Sequence, residues 1–313
     1  MEILKSYKNG NVEITLYDNG TRVMEYDETK PLLFDYPTSM DIKITNYCEG
    51  GKITKNGDFK LCQFCHEESN KDGKHANLIE LSNILFDIPE GVEIALGGGN
   101  PLSHPNLVAF LLRCKKQGLI PNLTVNKNHL VFYYDLLKNL IDNKLIYGLG
   151  ISIPTSVCEW NEKELFFVNY KHSVAHLIIG LHSTKIINIL RKIGFKKFLL
   201  LGYKEFGRGI KYYNSHSNKI NENIKEWENN ILNILTTANV ISFDNLSISQ
   251  LNLQSKLPKK LWDKFYQGDD FSSTLYLDAV TKQFAPTSRS NKNERVNWKD
   301  ISLLDYFRDN RRK

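Results

Sequence analysis

The sequence predicts an α/β protein: a partial or full (β/α) barrel of parallel strands, with a small N-terminal β-meander and a C-terminal α+β extension. Three observations lead there. Short apolar runs alternate with amphipathic helical stretches about six or seven times through the middle of the chain. Asn-Gly pairs punctuate period-two segments before that region, and the alternation stops after Leu251. A chain of 313 residues is long enough for such a barrel with additions.

The elements follow in order. Residues 1–36 are assigned to the meander, because Asn9-Gly10 and Asn19-Gly20 are two-residue hairpin signals on either side of the alternating Val12–Tyr17. Its expected role is to close one end of the barrel; docking of a substrate is the alternative. Residues 37–250 form the barrel, with strands expected at 41–46, 92–97, 122–126, 147–153, 175–179, 197–202 and 241–246. Helical stretches include 105–117, 130–142, 185–192 and 220–237. Alternating βα units imply a parallel sheet with right-handed crossovers, and chemistry at the carboxyl ends of the strands. Residues 251–313 form the extension, with a helix at 258–267, a strand at 274–280 and a helix at 301–310. This extension is expected to cover an open edge or mouth of the barrel.

Composition narrows the class. Hydrophobic residues at 41% and charged residues at 24% are close to globular averages. No apolar run approaches the ~18 residues of a membrane span, and the first residues lack a signal-peptide core, so a cytoplasmic address without a membrane partner is expected. The formal charge of +6 comes partly from Arg308, Arg311, Arg312 and Lys313, with further basic residues at 185–197. No aromatic stripe interleaves them, which favours a solvated surface over nucleic-acid binding.

Two motifs carry chemistry. The first is Cys48-x13-Cys62-x2-Cys65, in which three of the five cysteines fall within 18 positions after an apolar strand. Three thiolates can hold an iron–sulfur cluster and leave one iron without a protein ligand. Alternatively, Cys48, Cys62, Cys65 and His66 could hold a tetrahedral zinc, although adjacent ligands at Cys65 and His66 make chelation of one ion awkward. The second motif, Gly97-Gly98-Gly99-Asn100-Pro101, ends the second barrel strand and offers bare backbone to a small polar ligand. A plain strand-to-helix turn is its bland counterpart.

In this order the two motifs resemble those of the radical S-adenosylmethionine (SAM) superfamily. The resemblance implies a [4Fe-4S] cluster on Cys48, Cys62 and Cys65, with SAM bound at the open iron through its amino and carboxylate groups. The first cysteine gap is longer than the usual three residues of the family. Phe64 matches the aromatic that the family places before the last cysteine, near the adenine. Residues Gly97, Gly98, Gly99 and Asn100 match the Gly-Gly-Glu-Pro region that helps hold the SAM amino group, with Asn100 where glutamate is usual. Thr124 and Asn126 at the third strand end, and Ser152 at the fourth, resemble polar positions that meet SAM. Lys204 and Arg208, on the loop leaving the sixth strand, could bind a carboxylate of SAM or of substrate.

Cys158 lies just beyond the fourth strand, where a thiol could return a hydrogen atom to a substrate radical; an ordinary loop cysteine is the plainer reading. Cys114 belongs to a helix and to the core. These two isolated cysteines cannot hold a second cluster, so the cysteine-rich C-terminal domain of many peptide-modifying relatives is expected to be absent. The implied function is reductive cleavage of SAM to a 5′-deoxyadenosyl radical that abstracts hydrogen from a substrate. A peptide or protein is the preferred substrate, and a nucleoside-type small molecule the alternative. A non-catalytic zinc-stabilised binding protein is the competing class. The implied partner is a one-electron reductant such as flavodoxin or ferredoxin.

Overall fold

The computed structural model of the protein describes residues 2–18, 20–53, 57–155, 159–237, 240–266 and 268–311. The N-terminal segment forms an antiparallel three-stranded sheet of β1 (Ile3–Asn9), β2 (Val12–Tyr17) and β3 (Arg22–Glu25). Gly10 makes the first turn at φ +63°, and a Cβ there would sit 1.9 Å from the Leu33 carbonyl oxygen. In β2, Val12, Ile14 and Leu16 are buried, and Val12 and Ile14 join the main core.

The barrel follows as β4 (Ser39–Thr45), a long loop with the small hairpin β5 (Lys52–Ile53) and β6 (Phe59–Lys60), then α1 (Leu78–Ile84) and β7 (Glu93–Gly98). Next come α2 (Leu107–Gln117), β8 (Ile120–Asn126), α3 (Tyr134–Asp142), β9 (Gly148–Ser152), α4 (Glu162–Val168) and β10 (Ser173–Ile178). The series continues with α5 (Ile186–Ile193), β11 (Lys197–Leu201), α6 (Arg208–Thr237) and β12 (Val240–Phe243). The C-terminal region adds α7 (Asn245–Gln250), α8 (Leu253–Lys256), α9 (Lys259–Phe265), β13 (Thr274–Asp278), β14 (Gln283–Ala285), β15 (Val296–Asn297) and α10 (Leu303–Asn310).

One ten-stranded sheet runs β12-β11-β10-β9-β8-β7-β4-β13-β14-β15. It is parallel from β12 to β13 and antiparallel over the last two pairings, the topology of a partial (β/α) barrel with an added edge. Burial alternates along β7, β8 and β10, while the middle of β9 is buried throughout. Ile94, Leu96, Leu123, Val125, Leu149, Ile151, Ala175 and Leu177 are buried in the common core with the helices. Their period-two neighbours Ala95, Gly97, Thr124, Asn126, Ser152 and His176 are half-buried and line the other face, the barrel interior.

The meander packs on the amino ends of the strands. Arg22 is paired with Glu93 at the start of β7, the Tyr147 hydroxyl donates to the Tyr17 carbonyl at 3.1 Å, and Lys171 is paired with Asp18. The carboxyl ends therefore remain for a site. At the other edge, β13 runs parallel to β4 with Leu277 opposite Ile42, so the extension lengthens the barrel wall.

Several boundaries differ from the sequence expectation, for local reasons. The strand expected to 246 stops at Phe243, because Asp244 caps α7 by accepting from the Ser247 amide. Helix α6 begins at Arg208 rather than 220, joining a first segment across a kink at His216, where φ is −135°. Helices α1 and α4, seven residues each, are too short to show a period; Asn77 caps the first and an Asn161–Glu164 capping box starts the second.

Candidate functional site

The site is built where β4 runs out into the cysteine loop. The β4–β7 register shifts between Lys43 and Thr45, a bulge at the point where the chain leaves the sheet. Residues 70–76 return beside it: the Cys48 amide donates to the Asn70 carbonyl at 2.9 Å and the Ala76 amide to the Ile44 carbonyl at 2.9 Å. Gly73 permits this close return, since a Cβ there would lie 2.1 Å from the Asn46 carbonyl oxygen. The three cysteines of the loop are free thiols, each half-buried.

Burial pushes the Cys48 thiol up to about 12, against the Gly50 amide that donates to its sulfur at 3.4 Å; Cys62 and Cys65 add to the rise. Burial also raises Cys62, with Cys65 adding to it and the Gly51 backbone opposing it. The sulfurs thus feel one another, yet they are not a single-ion group. Among the described residues, the ligand atoms that gather within 4.8 Å of one another are those of Cys48, Glu49 and His129. One tetrahedral zinc at Zn–S distances of about 2.3 Å would hold its sulfurs within ~3.8 Å. A cluster spreads its cysteines wider, because each sulfur takes a different iron. His66, the fourth ligand of the zinc alternative, instead faces Glu67 at 3.4 Å. The donor set therefore fits an iron–sulfur cluster better than one zinc.

The glycine motif docks directly on this loop. The Gly99 amide donates to the Thr45 carbonyl and the Asn100 amide to the Tyr47 carbonyl, both at 2.7 Å. Side chains at Gly98 and Gly99 would collide with the Thr45 and Tyr47 carbonyls, at 2.3 and 2.1 Å, whereas a Cβ at Gly97 would meet nothing within 4 Å. Gly98 and Gly99 are thus needed for packing, and Gly97 borders open space fit for a ligand. Asn100 is fully buried; its Oδ1 accepts from the Leu102 amide at 3.1 Å and its Nδ2 donates to Glu49 at 2.9 Å.

Other residues singled out by the sequence are placed as follows. Asn126 accepts from the Asn128 amide at 2.9 Å, and its Nδ2 lies beside Gly51, where an added Cβ would stand 2.6 Å from it and 2.7 Å from the Cys62 sulfur. Ser152 is in register with Asn126 on one side and His176 on the other, and Thr124 lies one interior position below Asn126. Phe64 packs edge-on against Tyr212 of α6, with ring centroids 6.0 Å apart. Arg208 is committed to the cysteine loop: its Nε donates to the Cys62 carbonyl at 3.0 Å and its Nη2 to the Ser69 carbonyl at 2.9 Å. Lys204 donates to Ser288 at 3.0 Å in a cavity it shares with Asp41, Asp270 and Arg289. Cys158 falls outside the described residues.

Sequence reasoning passed over Glu49, Tyr133, His129 and His176. Glu49 accepts from the Tyr133 hydroxyl at 2.6 Å as well as from Asn100; burial pushes its carboxyl up, and these two donors outweigh that and hold it below the usual range. His129 donates from Nε2 to the Gly50 carbonyl at 2.8 Å, while its Nδ1 is buried without a partner. The His176 ring lies over Gly150, whose added Cβ would be 2.2 Å from it, and burial lowers its pKa to about 4. A signal existed for Glu49 alone: it adjoins Cys48 in a chain whose glycine motif lacks an acid.

Solved structures share this architecture. The S-adenosylmethionine-bound structure of SuiB from Streptococcus suis matches 99% of the chain and 88% of its own, with a TM-score of 0.60 at 12% identity. The chain has the fold of SuiB. A further SuiB structure matches 99% of the chain and 89% of its own, at a TM-score of 0.59 and 12% identity. SuiB bound to its precursor peptide SuiA matches 89% of the chain, which spans 66% of that protein, at a TM-score of 0.58 and 13% identity. At such identities the likeness is one of fold. No protein-family model matches the sequence, and no curated protein is significantly similar to it. Among the described residues, no helix is long and apolar enough to cross a membrane.

Proposed function

We propose that the chain is a radical SAM enzyme, with a [4Fe-4S] cluster on Cys48, Cys62 and Cys65 and SAM between that loop and the carboxyl ends of β7, β8 and β9. The observation that carries this reading is the placement of three free thiols on one loop, against a glycine turn, at the active end of this fold. When bound, the cluster supplies one electron for reductive cleavage of SAM, and the resulting 5′-deoxyadenosyl radical takes hydrogen from substrate. The protein's own groups hold and orient. Amides of Gly50 and Gly51 address the sulfurs of Cys48 and Cys62, and Arg208 fixes the backbone between the cysteines. Gly97 leaves room for SAM, while Thr124, Asn126 and Ser152 offer it polar groups from the interior face.

A peptide or protein is the preferred substrate. SuiB, whose fold this chain shares, is known with a bound precursor peptide, and the meander leaves the carboxyl end of the barrel clear. Electrons come from a small reductant such as flavodoxin or ferredoxin, and Cys158 is kept as the proposed hydrogen donor.

Anaerobic reconstitution tests the reading. The expected protein is brown, holds about four irons per chain and forms 5′-deoxyadenosine from SAM with a strong reductant. Cys48→Ala abolishes that product. A colourless preparation with one zinc per chain, or SAM cleavage surviving Cys48→Ala, would overturn the assignment.

A further inference from the structure

The glycine motif presents an amide, Asn100, where an acid is usual, yet a carboxylate does stand at this spot. It comes from the other motif. Glu49, next to Cys48, places Oε2 2.9 Å from Asn100 Nδ2 and Oε1 2.6 Å from the Tyr133 hydroxyl. Asn100 is fully buried and its Oδ1 is engaged by the Leu102 amide, so its Nδ2 has a fixed direction in which to donate. Two donors from two different elements therefore hold the carboxylate in one orientation.

That carboxylate is not saturated. An ionised carboxylate has about four lone-pair sites, and its three donors, Tyr133, Asn100 and its own backbone amide, leave capacity for another. Glu49 is half-buried, so a donor can reach it, and it also borders a separate groove of about 600 Å³ with Tyr47, His75 and Tyr133. One of its oxygens lies within 4.8 Å of the Cys48 sulfur. A cation bound there would sit at the rim of the cysteine trio. The group must also carry N–H or O–H bonds, because the carboxylate is set for hydrogen bonding. A sulfonium has none; an ammonium has them.

We infer that Glu49 accepts a hydrogen bond from the ammonium of SAM and supplies the negative charge that Asn100 lacks, with Asn100 and Tyr133 as positioning residues. This rests on the SAM reading proposed above. It amounts to an exchange of roles: the acid sits on the cysteine loop and the amide on the glycine turn.

Equilibrium binding to the cluster-loaded protein tests it with three ligands. SAM carries ammonium and sulfonium, S-adenosylhomocysteine carries the ammonium alone, and 5′-methylthioadenosine carries neither. Glu49→Gln is expected to weaken SAM and S-adenosylhomocysteine alike, by roughly tenfold to a hundredfold. Its affinity for 5′-methylthioadenosine and its iron content stay at the wild-type level. The double variant Glu49→Gln/Asn100→Asp returns the charge from the opposite side of the same hydrogen bond, and the carboxylate so introduced can still accept from the Leu102 amide. It is expected to recover part of the lost SAM affinity without changing 5′-methylthioadenosine.

Equal SAM affinity in wild type and Glu49→Gln would overturn the inference, as would no recovery in the double variant. A loss of equal size for all three ligands, or loss of iron in Glu49→Gln, would mark Glu49 as structural only. Wild-type protein with full iron that binds none of the three would remove the SAM reading itself.

Discussion

Gly99→Ala isolates the contact that joins the two motifs. A methyl group at Gly99 would stand 2.1 Å from the Tyr47 carbonyl oxygen and 2.8 Å from its carbon, well inside the ~3.5 Å at which non-bonded atoms settle. Both atoms are backbone, so no side chain can rotate away. The glycine turn has to lift off the cysteine loop, stretching the Gly99–Thr45 and Asn100–Tyr47 hydrogen bonds, each now 2.7 Å. Two such bonds are worth about 1 kcal/mol each net, and overpacking a tight site adds about 1–3 kcal/mol. The expected loss is about 3–5 kcal/mol, a large part of an ordinary domain's stability. Urea unfolding reads it directly, and iron retained after anaerobic reconstitution reads its effect on the loop. Gly97→Ala is the comparison, because its Cβ meets nothing within 4 Å; its stability should stay within about 0.5 kcal/mol of wild type. Equal unfolding midpoints for Gly99→Ala and wild type would refute the claim that this contact sets the loop.

Two further outcomes follow from buried charge. Lys43 is held by Glu67 at 2.7 Å and Asp278 at 3.2 Å, so Lys43→Met takes the shared cation from a half-buried and a buried carboxylate and leaves them His66 at 3.4 Å and Arg295 at 3.3 Å; a loss of about 3 kcal/mol in denaturant unfolding is expected, and a neutral result would discredit the network. His172 has its pKa lowered to about 4 by burial and by Lys197 and Lys171, and its ring stacks on Tyr147 at 4.3 Å. Since the unfolded value is near 6.5, the unfolded chain takes the proton first. The contribution of His172 is therefore complete above pH 6.5 and fades as pH falls towards 4. His172→Gln should flatten the stability–pH profile in that window, and an unchanged slope would assign the titration elsewhere.

Much of the fold could be read from local pattern, because strands and helices advertise themselves by period. The interior face of the barrel was legible in the same way: Thr124, Asn126 and Ser152 break apolar strands at every second position. What escaped depends on pairing between distant segments. Nothing in 274–280 records that this strand will lie parallel to β4, nor that Asp278 will meet Lys43. Arg208 and Lys204 share one loop and one charge, yet one grips the cysteine loop and the other faces a cavity beside Asp41. Their directions are set by where α6 begins and where the segment around Ser288 folds, and both are tertiary facts. Glu49 is by sequence one acid in a polar loop, and only the fold brings Asn100 and Tyr133 together on it.

The ion network around Lys43 bears on how this protein is made. Glu67 follows the last loop cysteine, Lys43 lies on the first barrel strand, and Asp278 and Arg295 arrive from the far end of the chain, 3.3 Å from each other. During synthesis the cysteine loop emerges from the ribosome long before the strand that braces it. Until that last part is translated, Lys43 and Glu67 lack the carboxylate and guanidinium that complete their surroundings. The bracing of the cysteine loop by this network must then wait until β13 and the segment around Arg295 have been made.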